Sequence, residues 1–160
     1  PNMRSLTEAF LYPGIGLLEM TNLSVGRGTD TPFEVVGAPW LDGRPLADAL
    51  AARRIPGAAF VPMRFRPDAS KFVGEDCGGV NVAITDRRLF DPVRTGLEIA
   101  LALRRLHPDT WDVKKVSVLL LNQRVLDAIE AGEPVDVVLE AASRESRDFR
   151  ARREDFLLYQ

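Results

Sequence analysis

A helix that is apolar on more than one face places the tightest limit on how this chain folds. It is predicted to begin at Asp91-Pro92, because Asp caps free amides and Pro fits the first turn without losing a useful donor. It is predicted to run to about Leu106, before Pro108. Its apolar positions do not form a single stripe, which is typical of a core helix packed on a sheet. These positions are Val93, Leu97, Ala100, Leu101 and Leu103.

Three apolar segments are predicted to supply the sheet. Gly79–Thr85 alternates Val and Ile with smaller or polar residues, the pattern expected of a central strand. Phe60–Phe65 is also predicted to be a strand, and Pro62 indicates an edge position or a bulge because proline cannot donate to a ladder. Ile15–Leu18 is an apolar run of strand length, which would leave Glu19 at a strand end.

Capping and breaking residues predict the remaining helices. Ser5 and Glu8 have the capping-box spacing, which predicts a short helix through Phe10 that Pro13-Gly14 ends. Further helices, the last of them charged and solvated, are predicted over Pro45–Arg54, Asn122–Glu130, Pro134–Ala142 and Ser146–Asp155. The apolar end Phe156–Tyr159 is expected to dock back on the domain. The prediction is therefore one compact α+β domain over residues 1–160, with a small mixed sheet packed with several helices.

Composition argues against several classes of function. The 160 residues are 46% hydrophobic and 28% charged, the composition of a soluble domain with one core. A net charge of -2 gives no field that favours nucleic acid. Cys77 and His107 are each alone in the sequence, so no internal disulfide, zinc site or other cofactor is expected. No apolar stretch approaches the roughly 20 residues of a membrane span, and no signal-peptide pattern is present.

The segment Thr21–Trp40 has neither helical nor strand periodicity and is predicted to be an ordered loop that carries function. Its most specific feature is Gly26-Arg27-Gly28-Thr29, in which flanking glycines let the backbone bend and bring a guanidinium to an anionic or hydroxylated ligand. The alternative is a tight turn whose Arg27 pairs with a nearby carboxylate. The spacing is not that of a nucleotide-binding glycine loop.

Carboxylates are available for acid and base chemistry, but each has a structural alternative. They are Glu19, Asp30, Glu34, Asp42, Glu75 and Asp76. Glu19 is either catalytic or an acceptor for loop amides or for Arg27, and the Glu75-Asp76 pair either reacts or turns the chain into the next strand. Cys77 has no basic partner nearby in the sequence and is predicted to be buried and structural. Asn22, Ser24, Thr29 and Trp40 offer the polar and aromatic contacts that suit sugar rings.

The string EMTNLSVGRGTDTPFEVVGAPW (Glu19–Trp40) resembles the hallmark stretch of the NamZ-type exo-β-N-acetylmuramidases, long known as a domain of unknown function. Further matches follow in order at Pro1-Asn2-Met3, Cys77–Val80, Phe90–Gly96 and Phe156–Tyr159. The resemblance implies a bacterial glycoside hydrolase that releases terminal N-acetylmuramic acid from peptidoglycan fragments during cell-wall turnover and recycling. It also implies a two-part protein, whose Rossmann-like N-terminal domain carries the principal catalytic carboxylate and is absent here. Members are commonly exported, so a periplasmic or secreted location is implied.

The resemblance also implies a set of site residues. The candidate for catalysis is Glu19, and the candidates for substrate binding are Thr21, Asn22, Ser24, Arg27, Gly28, Thr29, Pro32 and Trp40. Arg27 is predicted to bind the lactyl carboxylate that distinguishes muramic acid from glucosamine, because a planar guanidinium matches a carboxylate at two points. Val25 and Met20 depart from the residues common in the family, so substrate detail is expected to differ.

Three functions follow from these residues. The first is the cleft-forming half of a muramidase that needs its other domain for activity and binds a muramyl glycan. The second is a non-catalytic glycan-binding or interaction module that uses the same loop. The third is an independent small enzyme that uses Glu19 with Glu75 or Asp76.

Overall fold

The computed structural model describes residues 3–158, apart from the side chain of Glu145. The helices are α1 Leu6–Ile15, α2 Gly43–Ala52, α3 Pro92–Leu106, α4 Ser117–Leu120, α5 Gln123–Ala131 and α6 Val135–Arg153. The strands are β1 Val35–Ala38, β2 Ala58–Phe65 and β3 Cys77–Ile84. Short 3₁₀ turns cover Gly16–Leu18, Val113–Val116 and Glu154–Phe156. The α+β class is confirmed.

The sheet is small, and its pairing is antiparallel throughout rather than mixed. Its order is β1-β3-β2, with Val36 opposite Val80 and Pro62 opposite Val80 on the other side. The predictions of a central strand at Gly79–Thr85 and of an edge position for Pro62 are confirmed, because β3 lies in the middle and β2 at an edge.

Helix α3 is the core helix that its apolar pattern predicts. Asp91 caps it, with Oδ1 accepting a hydrogen bond from the amide of Arg94 at 3.0 Å, and Pro92 occupies the first turn. The helix packs closely against α1 where Gly14 meets Gly96, since a Cβ at Gly96 would lie 2.4 Å from the carbonyl oxygen of Gly14. Both helices therefore depend on glycine where their backbones meet.

The N-terminal prediction is wrong in two respects. The Ser5 cap is present and accepts from the Glu8 amide, but α1 continues past Pro13 to Ile15. The run Ile15–Leu18 is the end of this helix and a 3₁₀ turn, not a strand. The physical reason is spacing: Leu11, Ile15 and Leu18 lie four and three positions apart, so a helical path brings all three to the core, where they are buried.

Strand β1 lies inside the segment predicted to be a loop. All four residues of Val35–Ala38 are buried, so the segment lacks the alternation by which a half-exposed strand is found in a sequence. Ser24 extends this edge by an isolated antiparallel bridge to Gly37. The Thr21–Trp40 segment is therefore anchored to the sheet through β1 and through the bridge at Ser24.

For the remaining helices, the predicted capping residues agree with the structure more closely than the predicted helix boundaries. Helix α5 begins after its cap Asn122 and stops at Gly132 as predicted, whereas α2 is capped by Asp42, before Pro45. The two predicted segments at Pro134–Ala142 and Ser146–Asp155 form the single helix α6, since no Gly or Pro separates them.

The docking predicted for the C-terminal end is wrong for the residues described. Phe156 and Leu158 are 82% and 91% exposed, and the last turns of α6 that precede them are exposed as well. Tyr159, like Pro1 and Asn2 at the other end, lies outside the described residues. In the part of the chain that the structure describes, no helix combines the length and apolar content needed to cross a bilayer.

Candidate functional site

Glu19 and Arg27 form an ion pair at the surface of the predicted functional loop. Nε and Nη2 of Arg27 both donate to the Glu19 carboxylate, with Nη2 at 3.1 Å from Oε2. The side chains of Arg27 and Glu19 remain 28% and 22% exposed, so the pair is accessible to a ligand. A two-point contact fixes the plane of the guanidinium. Glu19 thus lies at the end of a 3₁₀ turn and accepts from Arg27, one of the alternatives that its sequence position left open.

Glycines on both sides of Arg27 are required by the backbone. Gly26 and Gly28 have φ values of 79° and 82°, the left-handed region that other residues rarely adopt. A Cβ at Gly28 would lie 2.1 Å from the carbonyl oxygen of Ala69, and the amide of Asp68 donates to the Gly28 carbonyl at 2.8 Å. The Arg27 turn therefore packs directly on the segment that joins β2 to β3.

That joining segment brings Lys71 to the same site, a residue that the sequence analysis missed. Its Nζ donates to the carbonyl oxygen of Glu19 at 2.9 Å and also to that of Thr21. Burial lowers the pKa of Lys71, and the nearby Glu19 charge opposes this shift. These contacts cross 52 and 50 positions of sequence, and no local motif marks Lys71.

Strained backbone surrounds the ion pair. Phe33, Ser70 and Phe72 have φ values of 66°, 68° and 60°, which are uncommon for residues with a side chain and unfavourable for bulky ones. The Arg27 guanidinium lies 4.9 Å from the centre of the Phe33 ring, within the range of a cation–π contact. Backbone strain of this kind tends to concentrate at functional sites.

The ion pair and Lys71 line one open cavity of about 370 Å³, near the lower end of the range for ligand pockets. Its lining residues are Glu19, Met20, Leu23, Ser24, Val25, Arg27, Ser70 and Lys71. Two of these side chains are cationic and one is anionic, so the lining carries a formal charge of +1. An open pocket whose lining has excess positive charge suits an anionic ligand, and Met20, Leu23 and Val25 add apolar surface beside the charges.

Several other predicted site residues hold the loop together instead of lining this cavity. Thr21 is buried and donates to the Leu18 carbonyl at 2.7 Å, and Thr29 donates to the Gly26 carbonyl at 2.7 Å. Pro32 is buried. Ser24 lines the cavity, yet its hydroxyl accepts from the Gly26 amide at 3.2 Å.

Asn22 and Trp40 connect the loop to the segment that follows α3. The side-chain Nδ2 of Asn22 donates to the main-chain oxygen of Thr110, and its Oδ1 accepts from the main-chain amide of Asp112, each at 2.8 Å. Trp40 packs edge-on against His107, with ring centres 5.2 Å apart, and its buried Nε1 has no hydrogen-bond partner within the described residues. Neither residue lines the cavity that contains Arg27.

The remaining carboxylates and Cys77 lie elsewhere. Asp76 pairs with Arg66 through two hydrogen bonds of 2.8 and 2.6 Å and lines a separate cavity of about 870 Å³. Asp42 also lines that cavity and caps α2. Burial and the nearby Glu8 charge raise the pKa of Glu34. The structure does not bring Asp76 to the cavity of Glu19.

Cys77 is buried, and this burial raises the pKa of its thiol, so a reactive thiolate is not favoured. Within residues 3–158, no group of three or more His, Cys, Asp and Glu side chains is placed to hold a metal ion.

Comparison with known proteins shows the family of this chain. Residues 10–159 match the family model described as the C-terminal part of the exo-β-N-acetylmuramidase NamZ. The chain is 34% identical, over 99% of its length, to the peptidoglycan β-N-acetylmuramidase NamZ of Bacillus subtilis (strain 168). This chain belongs to the NamZ C-terminal domain family.

Two solved structures of DUF1343 family proteins from Bacteroides fragilis NCTC 9343 share the fold of this NamZ-type domain. One aligns over all of the chain with a TM-score of 0.73 and 25% identity, and the other over 95% with a TM-score of 0.69 and 24% identity. The chain spans only 39% of the Bacillus protein and 43% and 42% of the two Bacteroides chains. The matched relatives therefore contain a large region with no counterpart in this chain.

Proposed function

We propose that this chain is the glycan-binding C-terminal domain of a β-N-acetylmuramidase that acts on peptidoglycan. In this proposal the Glu19–Arg27 cavity forms one wall of a cleft, and an N-terminal domain completes the cleft and supplies the principal catalytic carboxylate. Its ligand is the terminal N-acetylmuramic acid of a peptidoglycan fragment released in cell-wall turnover, and the parent protein is exported. Family membership and the names of the relatives support the reaction class.

The observation that carries the proposal is the arrangement of Arg27. One edge of its guanidinium, Nε and Nη2, is bound to Glu19, and within the described residues Nη1 makes no hydrogen bond. The guanidinium is therefore held in place while its other edge, Nη1 with the second proton of Nη2, is available to a ligand. A carboxylate is the group that matches such an edge at two points, and muramic acid differs from glucosamine by a lactyl carboxylate.

Glu19 has a different role in this proposal from the catalytic one that the sequence raised. Both of its carboxylate oxygens accept from Arg27, so the side chain is better suited to orienting the guanidinium than to exchanging a proton with a glycosidic oxygen. Acid and base chemistry is then assigned to the other domain. The same pairing is compatible with the alternative of a non-catalytic glycan-binding module.

A chimera separates these functions. This chain would replace the matching C-terminal region of the Bacillus subtilis relative, and release of nitrophenol from a nitrophenyl β-N-acetylmuramide would be followed. We expect turnover, and Arg27→Ala is expected to raise KM by about 10- to 100-fold, the loss of a charge-assisted contact. Arg66→Ala is the matched control, since Arg66 also binds a carboxylate but lies outside this cavity.

The outcomes are distinct. Turnover that Arg27→Ala leaves unchanged would contradict the assignment of this cavity. Muramyl-glycan binding by a folded chimera that never turns over would favour the non-catalytic module.

A further inference from the structure

Lys71 is the second cation of the cavity, and the proposed function does not yet use it. Two of the three protons on its Nζ are directed to the carbonyl oxygens of Glu19 and Thr21. An ammonium group has three donors, so one remains for another acceptor. Because Lys71 itself lines the cavity, that acceptor can be a ligand atom.

The cavity has more positive than negative charge close to Glu19. Arg27 contacts the carboxylate of Glu19, and Lys71 contacts its main-chain oxygen, so both cations lie around the same residue. One carboxylate cannot neutralise both, and the other lining residues carry no charge. A second carboxylate, brought by a ligand, would complete the charge balance in a partly desolvated pocket, where such contacts are stronger than in bulk water.

The position of Lys71 is fixed before any ligand arrives. Its neighbours Ser70 and Phe72 both have positive φ values, 68° and 60°. One residue with left-handed backbone lies on each side of Lys71, and its Nζ makes two hydrogen bonds. Together they hold a side chain that is otherwise costly to order. A preorganised cation binds its partner with a smaller entropic cost than a mobile surface lysine.

We infer that Lys71 and Arg27 together bind a single carboxylate group of the ligand, which makes Lys71 a specificity-determining residue for carboxylate-bearing sugars. This inference rests on the proposed function for the identity of the sugar, but carboxylate binding itself does not require turnover. The lactyl group of muramic acid supplies the carboxylate, and glucosamine has none.

The test uses the smallest form of that group, lactate, with methyl lactate as the neutral control. Side-chain NMR signals of Lys71 and Arg27 would be followed while each compound is added to the whole chain. We expect saturable shifts with lactate and none with methyl lactate. Lys71→Met should weaken lactate binding at least tenfold, the effect of removing a hydrogen bond to a charged group, while Lys71→Arg should retain most of it.

Lys114→Met serves as the matched control, because Lys114 is an exposed lysine outside the cavity. Thermal unfolding of Lys71→Met would be measured beside the titration, since this variant also loses the contacts to Glu19 and Thr21. If it unfolds, the wild-type titration and Lys71→Arg still decide the question.

Two results would overturn the inference: a wild-type chain whose Lys71 signals do not respond to lactate, or a folded Lys71→Met that binds lactate as well as wild type. A chimera without turnover would leave the lactate result standing. Failure of the proposed function and failure of this inference are therefore distinguishable.

Discussion

The two glycines that flank Arg27 are constrained by different neighbours. Gly26 lies against the Val35 side chain and the carbonyl of Thr31, whereas Gly28 lies against the backbone of Ala69. A Cβ at Gly26 would lie 2.9 Å from the carbonyl oxygen of Thr31, whereas a Cβ at Gly28 would lie only 2.1 Å from that of Ala69, so the backbone clash at Gly28 is the more severe. At the residue scale, Gly28 is therefore the position on which the shape of the Arg27 turn depends most.

Replacing Gly28 by Ala is expected to lower the free energy of unfolding by about 2 to 4 kcal/mol, because left-handed strain and a backbone clash act together. Chemical denaturation would measure the change. Gly74→Ala is the control, since Gly74 has a similar φ of 75° but nothing within 4 Å of the added Cβ. It is expected to cost about 1 kcal/mol. Equal losses for the two variants would show that the contact with Ala69 is not restrictive.

Whether the sequence predicts a contact of the site depends on how many positions separate the two residues in the chain. The pairing of Arg27 with a carboxylate is one of the alternatives that the sequence predicts, because only eight positions separate Arg27 from Glu19. The contacts of Lys71 span 50 or more positions and depend on how the sheet brings two segments together. No local pattern records that approach, so Lys71 was not found.

At the scale of elements, predictions that depend on contacts between residues close in sequence are confirmed, whereas those that depend on packing between distant segments are wrong. The caps Asp91 and Asn122 are confirmed, because a cap is a contact between residues three positions apart. Strand β1 has no alternating pattern in the sequence because all four of its residues are buried, and Pro13, which predicts a helix end, lies inside α1. In both cases packing in the core outweighs the local preference.

The contact between α1 and α3 gives a prediction at this scale. Gly96→Ala is expected to lower the free energy of unfolding by about 1 to 3 kcal/mol, because the new Cβ must separate two helix backbones. Gly16→Ala is the control: its Cβ would meet only the Tyr12 ring at 3.4 Å in a helical conformation, so stability should stay within about 1 kcal/mol. Denaturation midpoints would compare them, and a Gly96→Ala protein as stable as wild type would contradict the close packing.

At the scale of the whole molecule, the domain presents its candidate site as an open surface cavity rather than an enclosed pocket. The cavity lies where the Arg27 turn, the end of the N-terminal 3₁₀ turn and the segment between β2 and β3 meet. One such wall can recognise a group on a ligand without surrounding it. This arrangement agrees with a domain that contributes recognition while another domain completes the cleft, as we propose.

We expect this chain by itself to distinguish a carboxylate-bearing sugar from its neutral counterpart. Calorimetric titration with N-acetylmuramic acid and with N-acetylglucosamine, on the wild-type chain and on Arg27→Ala, tests it most directly. We expect measurable binding of N-acetylmuramic acid, at least tenfold weaker binding of N-acetylglucosamine, and loss of this preference in Arg27→Ala. Equal binding of the two sugars, or no binding of either by the folded wild-type chain, would contradict it.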